Sequence, residues 1–234
     1  MLLAGESLAR LQEHIGVHFR SPALLEEALT HSSYTFENPE AKNNQRLEFL
    51  GDAVLEVLVS EVLFHRLPEA PEGELTKFRA AVVCESSLAR TAAHLGLGLA
   101  MRMGRGEELS GGRWRPSVLA DAFEALLGAL YLDQGLDAAR TFVSRHLGPV
   151  IEDVIAGRHE PDYKTELQEK LQKMSREPVK YVILKEEGPD HAKTFTAGVI
   201  YHGALIGQGV GRSKKEAEQQ AAKAALARRV WRKR

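Results

Sequence analysis

The sequence predicts two domains, a helical domain followed by a small α+β domain with the element order α-β-β-β-α. Apolar residues recur at three- and four-residue spacing through residues 1–155, and they alternate in short β-type runs after Pro161. Between these regions, residues 157–161 contain no apolar side chain and have a helix-breaking residue at each end, which is typical of a linker. We therefore predict one domain at residues 1–156 and a second at residues 162–231.

The two parts of the chain carry opposite net charge. Residues 1–160 contain 15 Lys and Arg against 23 Asp and Glu, a balance of −8. Residues 161–234 contain 16 against 9, a balance of +7, so the net charge of −1 for the whole chain is a cancellation. This asymmetry indicates two domains with different partners, and the basic part indicates a polyanionic partner. Ordinary scatter of surface charge is the alternative.

Composition narrows the class of protein. The single cysteine, Cys84, excludes an intramolecular disulfide and a cysteine-based metal cluster, and it fits a reducing compartment. No apolar run approaches the roughly 18–20 residues that cross a bilayer, and the N-terminus lacks the basic region and apolar core of a signal peptide. These features predict a soluble cytoplasmic protein with no membrane partner.

Two helices predicted in the first domain are apolar on nearly every side, so we expect both to be buried. One runs from about Asn44 to Arg66, and the other runs from about Pro116, which suits a first helical turn, to Leu132. The apolar residues of the first are Leu47, Phe49, Leu50, Val54, Leu55, Val57, Leu58, Val62 and Leu63. Shorter helices are predicted around Leu24–Leu29, Leu75–Val83, Ser86–His94 and Leu136–Ile155.

The second domain is predicted to place two helices on one face of a three-stranded sheet. Its first helix covers Tyr163–Met174 and its last, rich in alanine, covers about Lys214–Val230. Turn residues separate the strands, with Gly-Pro-Asp at 188–190 and His-Gly at 202–203. The predicted strands are Val179–Leu184, Thr194–Tyr201 and Ala204–Val210.

Both apolar helices of the first domain carry a pair of carboxylates. Glu48 and Asp52 are four residues apart, and Asp121 and Glu124 are three apart, so each pair shares a helix face. Acidic side chains on buried helices are costly unless they are paired or bind a metal ion. If the helices pack together, four carboxylates converge, and their mutual repulsion raises some of their pKa values unless a cation is present. Ligation by oxygen alone favours Mg²⁺ or Mn²⁺.

These carboxylates have two other possible interpretations. Each pair could face solvent or cap a neighbouring helix, which is the better interpretation for one pair alone but not for two pairs on the two most apolar helices. A di-iron carboxylate site requires a histidine three residues after a glutamate on two helices. Gly51 and Leu127 stand at those positions, so the sequence excludes that site.

The last helix begins with a capping box, in which Ser213 is the N-cap and Glu216 follows three residues later. Lys214 and Lys215 lie in the same turn, where the helix dipole disfavours cations, so an incoming phosphate explains them better than local stability does. Two solvated lysines are the alternative. On the first helix of this domain, Thr165, Gln168, Glu169 and Gln172 share one face and suit ribose 2′-hydroxyls, although an ordinary polar face fits the spacing equally well.

Several segments resemble the ribonuclease III family in its bacterial two-domain order. The segment NQRLEFLGDAVL at 44–55 is similar to the signature of the family, and DAFEAL at 121–126 is similar to its second acidic motif. THSSY at 30–34 and EGEL at 72–75 also match the family pattern. DYKTELQE at 162–169 and SKKEAE at 213–218 resemble the two ends of a domain that binds double-stranded RNA. The resemblance covers essentially the whole chain.

The resemblance implies a homodimeric endonuclease that cleaves double-stranded RNA with Mg²⁺, for which Mn²⁺ can substitute, and that needs no organic cofactor. It implies products with 5′-phosphate ends and short 3′ overhangs, and substrates among rRNA precursors, mRNA and other structured transcripts. Glu48, Asp52, Asp121 and Glu124 would bind the metal, with Asp52 and Glu124 as the catalytic pair. Gln45 stands where many members have glutamate, so we leave it and its family neighbour Glu72 outside the ligand set.

The resemblance also implies the RNA contacts of the second domain. They are Thr165, Gln168, Glu169, Gln172, His191, Ser213, Lys214, Lys215 and Gln219. A non-catalytic regulator that binds double-stranded RNA is the alternative function, but it would not need all four carboxylates. A helical oligomer that binds metal only for stability would not explain the position of Lys214 and Lys215.

Overall fold

The computed structural model describes residues 4–158, 163–172, 174–175, 177–188 and 193–228, and for residues 4–7, Thr165 and Glu169 it describes the backbone alone. The chain divides into two compact units, Met1–His159 and Glu160–Arg234. The described residues include no helix that is both long enough and apolar enough to cross a membrane.

The described part of the first unit is helical. Its longest helices are α4, α9 and α10, and the sequence predicted each of them to within two residues. The sequence did not predict α1, α3, α7 and α8, nor the 3-10 turn at Gly112–Trp114. The ten helices are α1 (Ala4–Ile15), α2 (Pro22–Ala28), α3 (Ser32–Glu37), α4 (Gln45–Arg66), α5 (Glu72–Val82), α6 (Glu85–His94), α7 (Leu97–Ala100), α8 (Arg105–Leu109), α9 (Pro116–Gln134) and α10 (Leu136–Ile155).

Helices α4 and α9 cross at two glycines. A β-carbon at Gly51 would lie 1.8 Å from the carbonyl oxygen of Glu124, and one at Gly128 would lie 2.2 Å from the carbonyl oxygen of Leu47. Neither distance is compatible with a real side chain. The two helix backbones are therefore in direct contact, and side chains that flank the crossing are brought together.

The expectation that α4 is buried on every side is wrong. Leu55, Leu58 and Val59 lie in the core of the unit, but Phe49 is 81% exposed and Val57 is 58% exposed. Hydrophobic periodicity shows that a face is apolar and does not show what packs on it. In the part of the chain that the structure describes, this face of α4 is left open to solvent.

The second unit has the predicted α-β-β-β-α order. Its strands form an antiparallel sheet in the order β1-β2-β3, and the β2–β3 turn has positive φ at both His202 and Gly203, as a tight hairpin requires. The last strand packs directly against the backbone of the last helix at three glycines, where a β-carbon would clash with that helix: Gly207, Gly209 and Gly211. The elements are α11 (Tyr163–Gln172), β1 (Lys180–Glu187), β2 (Thr194–Tyr201), β3 (Ala204–Gly211) and α12 (Lys214–Arg228).

Element ends in the second unit differ slightly from the prediction. Strand β1 continues to Glu187, three residues beyond the predicted Leu184, and α11 ends at Gln172, before Met174. The predicted end of the last helix, Val230, lies outside the described residues. The core of this unit lies between the sheet and the two helices, and it is built from Leu167, Leu171, Ala197, Val199, Tyr201, Ile206, Ala217, Ala221, Ala222 and Ala225.

Candidate active site and nucleic-acid interface

Three carboxylates meet beside the crossing of α4 and α9. Glu48, Asp121 and Glu124 each offer an oxygen, and these oxygens lie within 4.8 Å of one another. All three side chains are half-buried. The sequence indicated that four carboxylates converge if the two helices pack together, and the structure brings three of them together.

The start of α4 is fixed by a buried asparagine. The Asn44 backbone N–H donates to the carbonyl of Thr30 at 2.9 Å, and the Glu48 N–H donates to the carbonyl of Asn44 at 2.8 Å. Asn44 is only 2% exposed. Together with the Gly51–Gly128 crossing, this anchor sets the position of Glu48 relative to α9. Sequence reasoning missed both glycines as positioning residues, although small residues in two apolar helices were a visible signal.

Asp52 does not join the group of three. It lies one turn after Glu48 on α4, and its side chain is exposed. Its charge nevertheless raises the pKa values of both Glu48 and Glu124. Asp52 therefore acts on the cluster through its electrostatic field in this arrangement.

The carboxylates have raised pKa values, and burial is the largest cause in each case. Burial, followed by the charges of Asp52, Asp121 and Glu48, raises the pKa of Glu124 to about 8. The pKa of Glu48 is also raised by burial and then by Asp121 and Asp52. The expected repulsion between carboxylates contributes to the raised pKa values of Glu48 and Glu124, and desolvation by burial contributes more.

His31 and burial have opposite effects on the pKa of Asp121. Burial raises the pKa of the Asp121 carboxyl, whereas the nearby imidazole of His31 lowers it. The ring is held as the N-cap of α3, where its Nδ1 accepts the Ser33 N–H at 3.2 Å. The sequence offered His31 only as part of the THSSY segment.

The donor set of the cluster fits a divalent cation. Three carboxylate oxygens within 4.8 Å of one another are ligands of the kind that Mg²⁺ and Mn²⁺ prefer. Deprotonation of Glu124 leaves a concentration of negative charge that a cation neutralises. The cluster could therefore hold a metal ion.

The N-terminus of α12 is capped nearly as predicted. The Ser213 hydroxyl accepts the Glu216 N–H at 3.1 Å, whereas the Glu216 carboxylate accepts the N–H of Arg212 at 2.7 Å. Lys214 and Lys215 are exposed in this first turn. Lys214 forms an ion pair with Glu186 at 3.0 Å.

The remaining predicted RNA contacts are described to different extents. Gln168 and Gln172 are exposed on α11. The Oε1 atom of Gln219 accepts the Lys164 N–H at 3.1 Å, so this side chain ties α12 to the start of α11. The side chains of Thr165 and Glu169, and the whole of His191, lie outside the described residues.

Residues 21–151 match the family described as Ribonuclease-III-like, and residues 163–228 match the double-stranded RNA binding motif. The chain belongs to the ribonuclease III family. It is 63% identical over 225 residues to Ribonuclease 3 of Pelotomaculum thermopropionicum, which covers 95% of this chain and 93% of that protein. It is 61% identical over 223 residues to Ribonuclease 3 of Desulforamulus reducens, with 94% and 91% covered.

A solved structure agrees with the first unit of this ribonuclease III chain. The nuclease domain of ribonuclease III from Campylobacter jejuni is 43% identical, with a TM-score of 0.57. The match covers 60% of this chain and 95% of that domain. The chain is thus an endoribonuclease that cleaves double-stranded RNA, with a helical nuclease domain followed by a domain that binds double-stranded RNA. The alternative of a non-catalytic regulator is wrong.

Gln45 departs from the pattern expected of a ribonuclease III, and Glu72 was left outside the ligand set together with it. Gln45 is exposed at the start of α4, where its backbone N–H donates to the Asn43 side chain at 3.2 Å. The Glu72 carboxylate accepts the Thr76 hydroxyl at 2.9 Å on α5. Neither residue belongs to the three-carboxylate group.

Proposed function

We propose that Glu48, Asp121 and Glu124 hold Mg²⁺, or Mn²⁺ in its place, and that phosphodiester cleavage occurs there. Asp52 completes this set from its exposed position one turn away. The observation that carries the proposal is the convergence of three carboxylates, with the pKa of Glu124 raised to about 8. The negative carboxylates of this site would repel an RNA phosphate if no cation were present. A cation bound between the carboxylates and the phosphate removes that repulsion.

The protein side chains have defined tasks in this mechanism. Glu124 must give up its carboxyl proton before its oxygen can bind a cation. We assign Asp52 and Glu124 as the catalytic pair, as the family resemblance implies, and the exposed Asp52 is accessible to a phosphodiester that arrives from solvent. The bound metal would supply an activated water and stabilisation of the leaving 3′-oxygen. The products then carry 5′-phosphate ends, and two such sites on one duplex leave short 3′ overhangs.

The second domain holds the RNA in this proposal. Ser213, Lys214 and Lys215 contact phosphates at the N-terminus of α12, where backbone N–H groups face outward. One face of α11 enters the minor groove, which displays the ribose 2′-hydroxyls. The proposed contacts on α11 are Thr165, Gln168, Glu169 and Gln172, with His191 and Gln219 adding to the interface. The division of the chain between His159 and Glu160 supports the proposed linker at 157–161 and the domains at 1–156 and 162–231.

We further propose that the exposed face of α4 forms a homodimer. Phe49, Val57 and Phe64 lie eight and seven residues apart on that helix and are all more than half exposed. A neighbouring groove of about 460 Å³ runs between α4 and α5 and is lined by Leu63, Phe64 and Leu75 among others. The Campylobacter jejuni nuclease domain is described as having a region involved in dimer formation.

The dimer proposal is tested by sedimentation. Phe49→Asp should convert a dimer into a monomer, because it places a charge within the apolar surface that the second copy would cover. Phe36→Asp is the matched control, since Phe36 is 87% exposed on α3. A Phe49→Asp protein that stays dimeric would contradict the proposed interface.

We propose a cytoplasmic location, which the single cysteine supports, and rRNA precursors and structured mRNA as substrates. The function is tested by incubating the protein with long duplex RNA in Mg²⁺ or in EDTA and separating the products on a gel. We expect short double-stranded products in Mg²⁺, intact RNA in EDTA, and no cutting of a single strand of the same sequence. Cleavage that persists in EDTA would contradict the metal site.

A further inference from the structure

A carboxylate from the sheet neutralises one of the two lysines that open α12. The Oε1 atom of Glu186 lies 3.0 Å from Nζ of Lys214. The same Nζ lies 5.6 Å from the centre of the Phe195 ring. Glu186 and Phe195 are direct partners across the β1–β2 ladder, so the ammonium group rests over one cross-strand pair. These three side chains form a cluster at the position where we place a phosphate.

The ring and the carboxylate act differently on Lys214. An aromatic ring within about 6 Å attracts an ammonium group without using its N–H donors, so Phe195 holds Lys214 in place. A carboxylate at hydrogen-bond distance takes up a donor and cancels the charge. An RNA phosphate must therefore displace Glu186 or share the ammonium with it at the cost of repulsion.

We propose that Glu186 competes with RNA phosphate for Lys214 and thereby lowers the affinity of the second domain for RNA. We call this intramolecular competition the latch. The inference rests on the proposed role of Lys214 as a phosphate contact. Without Glu186, the lysine stays over Phe195 with its charge available. The latch limits affinity for duplex RNA, and weaker binding favours release of the cleaved duplex.

The neighbouring residue provides a matched control. Glu187 is the next residue of β1, and it pairs with Lys185 at 2.7 Å; among the described residues, the ion pair between β1 and Lys214 is made by Glu186. Successive residues of a strand point to opposite faces of the sheet. Glu186→Gln and Glu187→Gln thus remove the same charge from adjacent positions, and only the first releases Lys214.

The experiment measures binding of long duplex RNA to the full chain in EDTA, where no cleavage occurs, by fluorescence anisotropy. An exposed ion pair is worth little, so we expect Glu186→Gln to bind about two- to fivefold more tightly than the unchanged chain. Glu187→Gln should show a clearly smaller gain, from long-range charge alone. In a Lys214→Ala background, Glu186→Gln should give no more than the gain of Glu187→Gln.

The outcomes separate the latch from the function on which it rests. If Lys214→Ala weakens binding but the two glutamine variants behave alike, the latch is wrong and the phosphate contact stands. If Glu186→Gln weakens binding, Glu186 positions Lys214 and the competition is likewise wrong. If Lys214→Ala leaves affinity unchanged, the phosphate contact fails and the latch fails with it. Thermal unfolding of each variant confirms that the fold is intact.

Discussion

The two units of this protein differ in how their charged side chains are arranged: one brings like charges together, and the other pairs opposite charges. In the helical unit, close packing of α4 and α9 forces Glu48, Asp121 and Glu124 together, although they are partly buried and repel one another. In the α+β unit, cations already form ion pairs with carboxylates, such as the exposed Lys214 with Glu186 and the half-buried Lys164 with Glu218. In our proposal the helical site therefore needs a cation, whereas part of the positive charge of the α+β unit is already neutralised before RNA binds.

The largest effect expected from this comparison is on cleavage. Glu124→Gln replaces a metal-binding carboxylate with an uncharged amide of the same size. The rate of duplex cleavage in Mg²⁺ should therefore fall by about 10³-fold or more. Gel assays under single-turnover conditions measure the loss. Glu56→Gln is the matched control, since Glu56 lies on α4 but pairs with Arg79 at 3.1 Å. Equal rates for the two variants would contradict the assignment of the site.

The next effect is on the crossing that builds the site. Gly51→Ala would place a β-carbon 1.8 Å from the Glu124 carbonyl oxygen and push α4 from α9, costing about 3 kcal/mol of unfolding free energy. Urea denaturation measures that free energy. Gly106→Ala, on α8 with no atom near the added carbon, should be neutral or slightly stabilising. A Gly51→Ala protein as stable as the control would refute the role of the crossing.

Metal affinity should depend on pH because Glu124 is protonated at neutral pH without metal. Its pKa is raised from 4.5 to about 8, so binding of Mn²⁺ should tighten about tenfold per pH unit from about pH 6 to about pH 8 and then level off. Without metal, the folded protein binds the Glu124 proton more tightly than the unfolded chain does, which stabilises the fold. This contribution to the unfolding free energy is fully present below pH 4.5 and is lost as the pH rises towards about 8. Calorimetric titration and thermal unfolding in EDTA measure both trends. A pH-independent affinity would show that Glu124 is not a ligand.

The smallest effect is on RNA affinity. Replacing Lys214 and Lys215 together with alanine should weaken binding about five- to tenfold for any duplex sequence, because phosphate contacts carry no sequence information. The slope of log affinity against log salt should flatten by up to about two. Binding titrations at several salt concentrations give this slope. An unchanged slope would contradict phosphate contact by these lysines.

Much of the fold could be predicted from the sequence because long helices reveal themselves by apolar periodicity. Helices α4, α9 and α10 were predicted on that basis. Helices α3, α7 and α8 are four to six residues long, too short for a period to be recognised. Helix α1 does carry Leu8, Leu11 and Ile15 at helical spacing, so its signal was present and was missed.

The candidate site was predicted less completely than the fold. Spacing placed two carboxylates on one face of each helix, but it could not give the depth of burial, which is the main cause of the raised pKa of Glu124. Spacing also could not show that Asp52 stays exposed outside the group of three. The burial of Glu124 depends on how closely α4 approaches α9, and Gly51 and Gly128 permit that close approach.

The central claim is that the helical unit cuts and the α+β unit holds the RNA. The affinity of Glu124→Gln for long duplex RNA, measured in Mg²⁺ by anisotropy, tests this most directly. We predict an affinity within about twofold of the unchanged chain while cleavage is lost, because phosphate contacts dominate binding. A folded Glu124→Gln protein whose affinity falls more than about tenfold would contradict this division of labour.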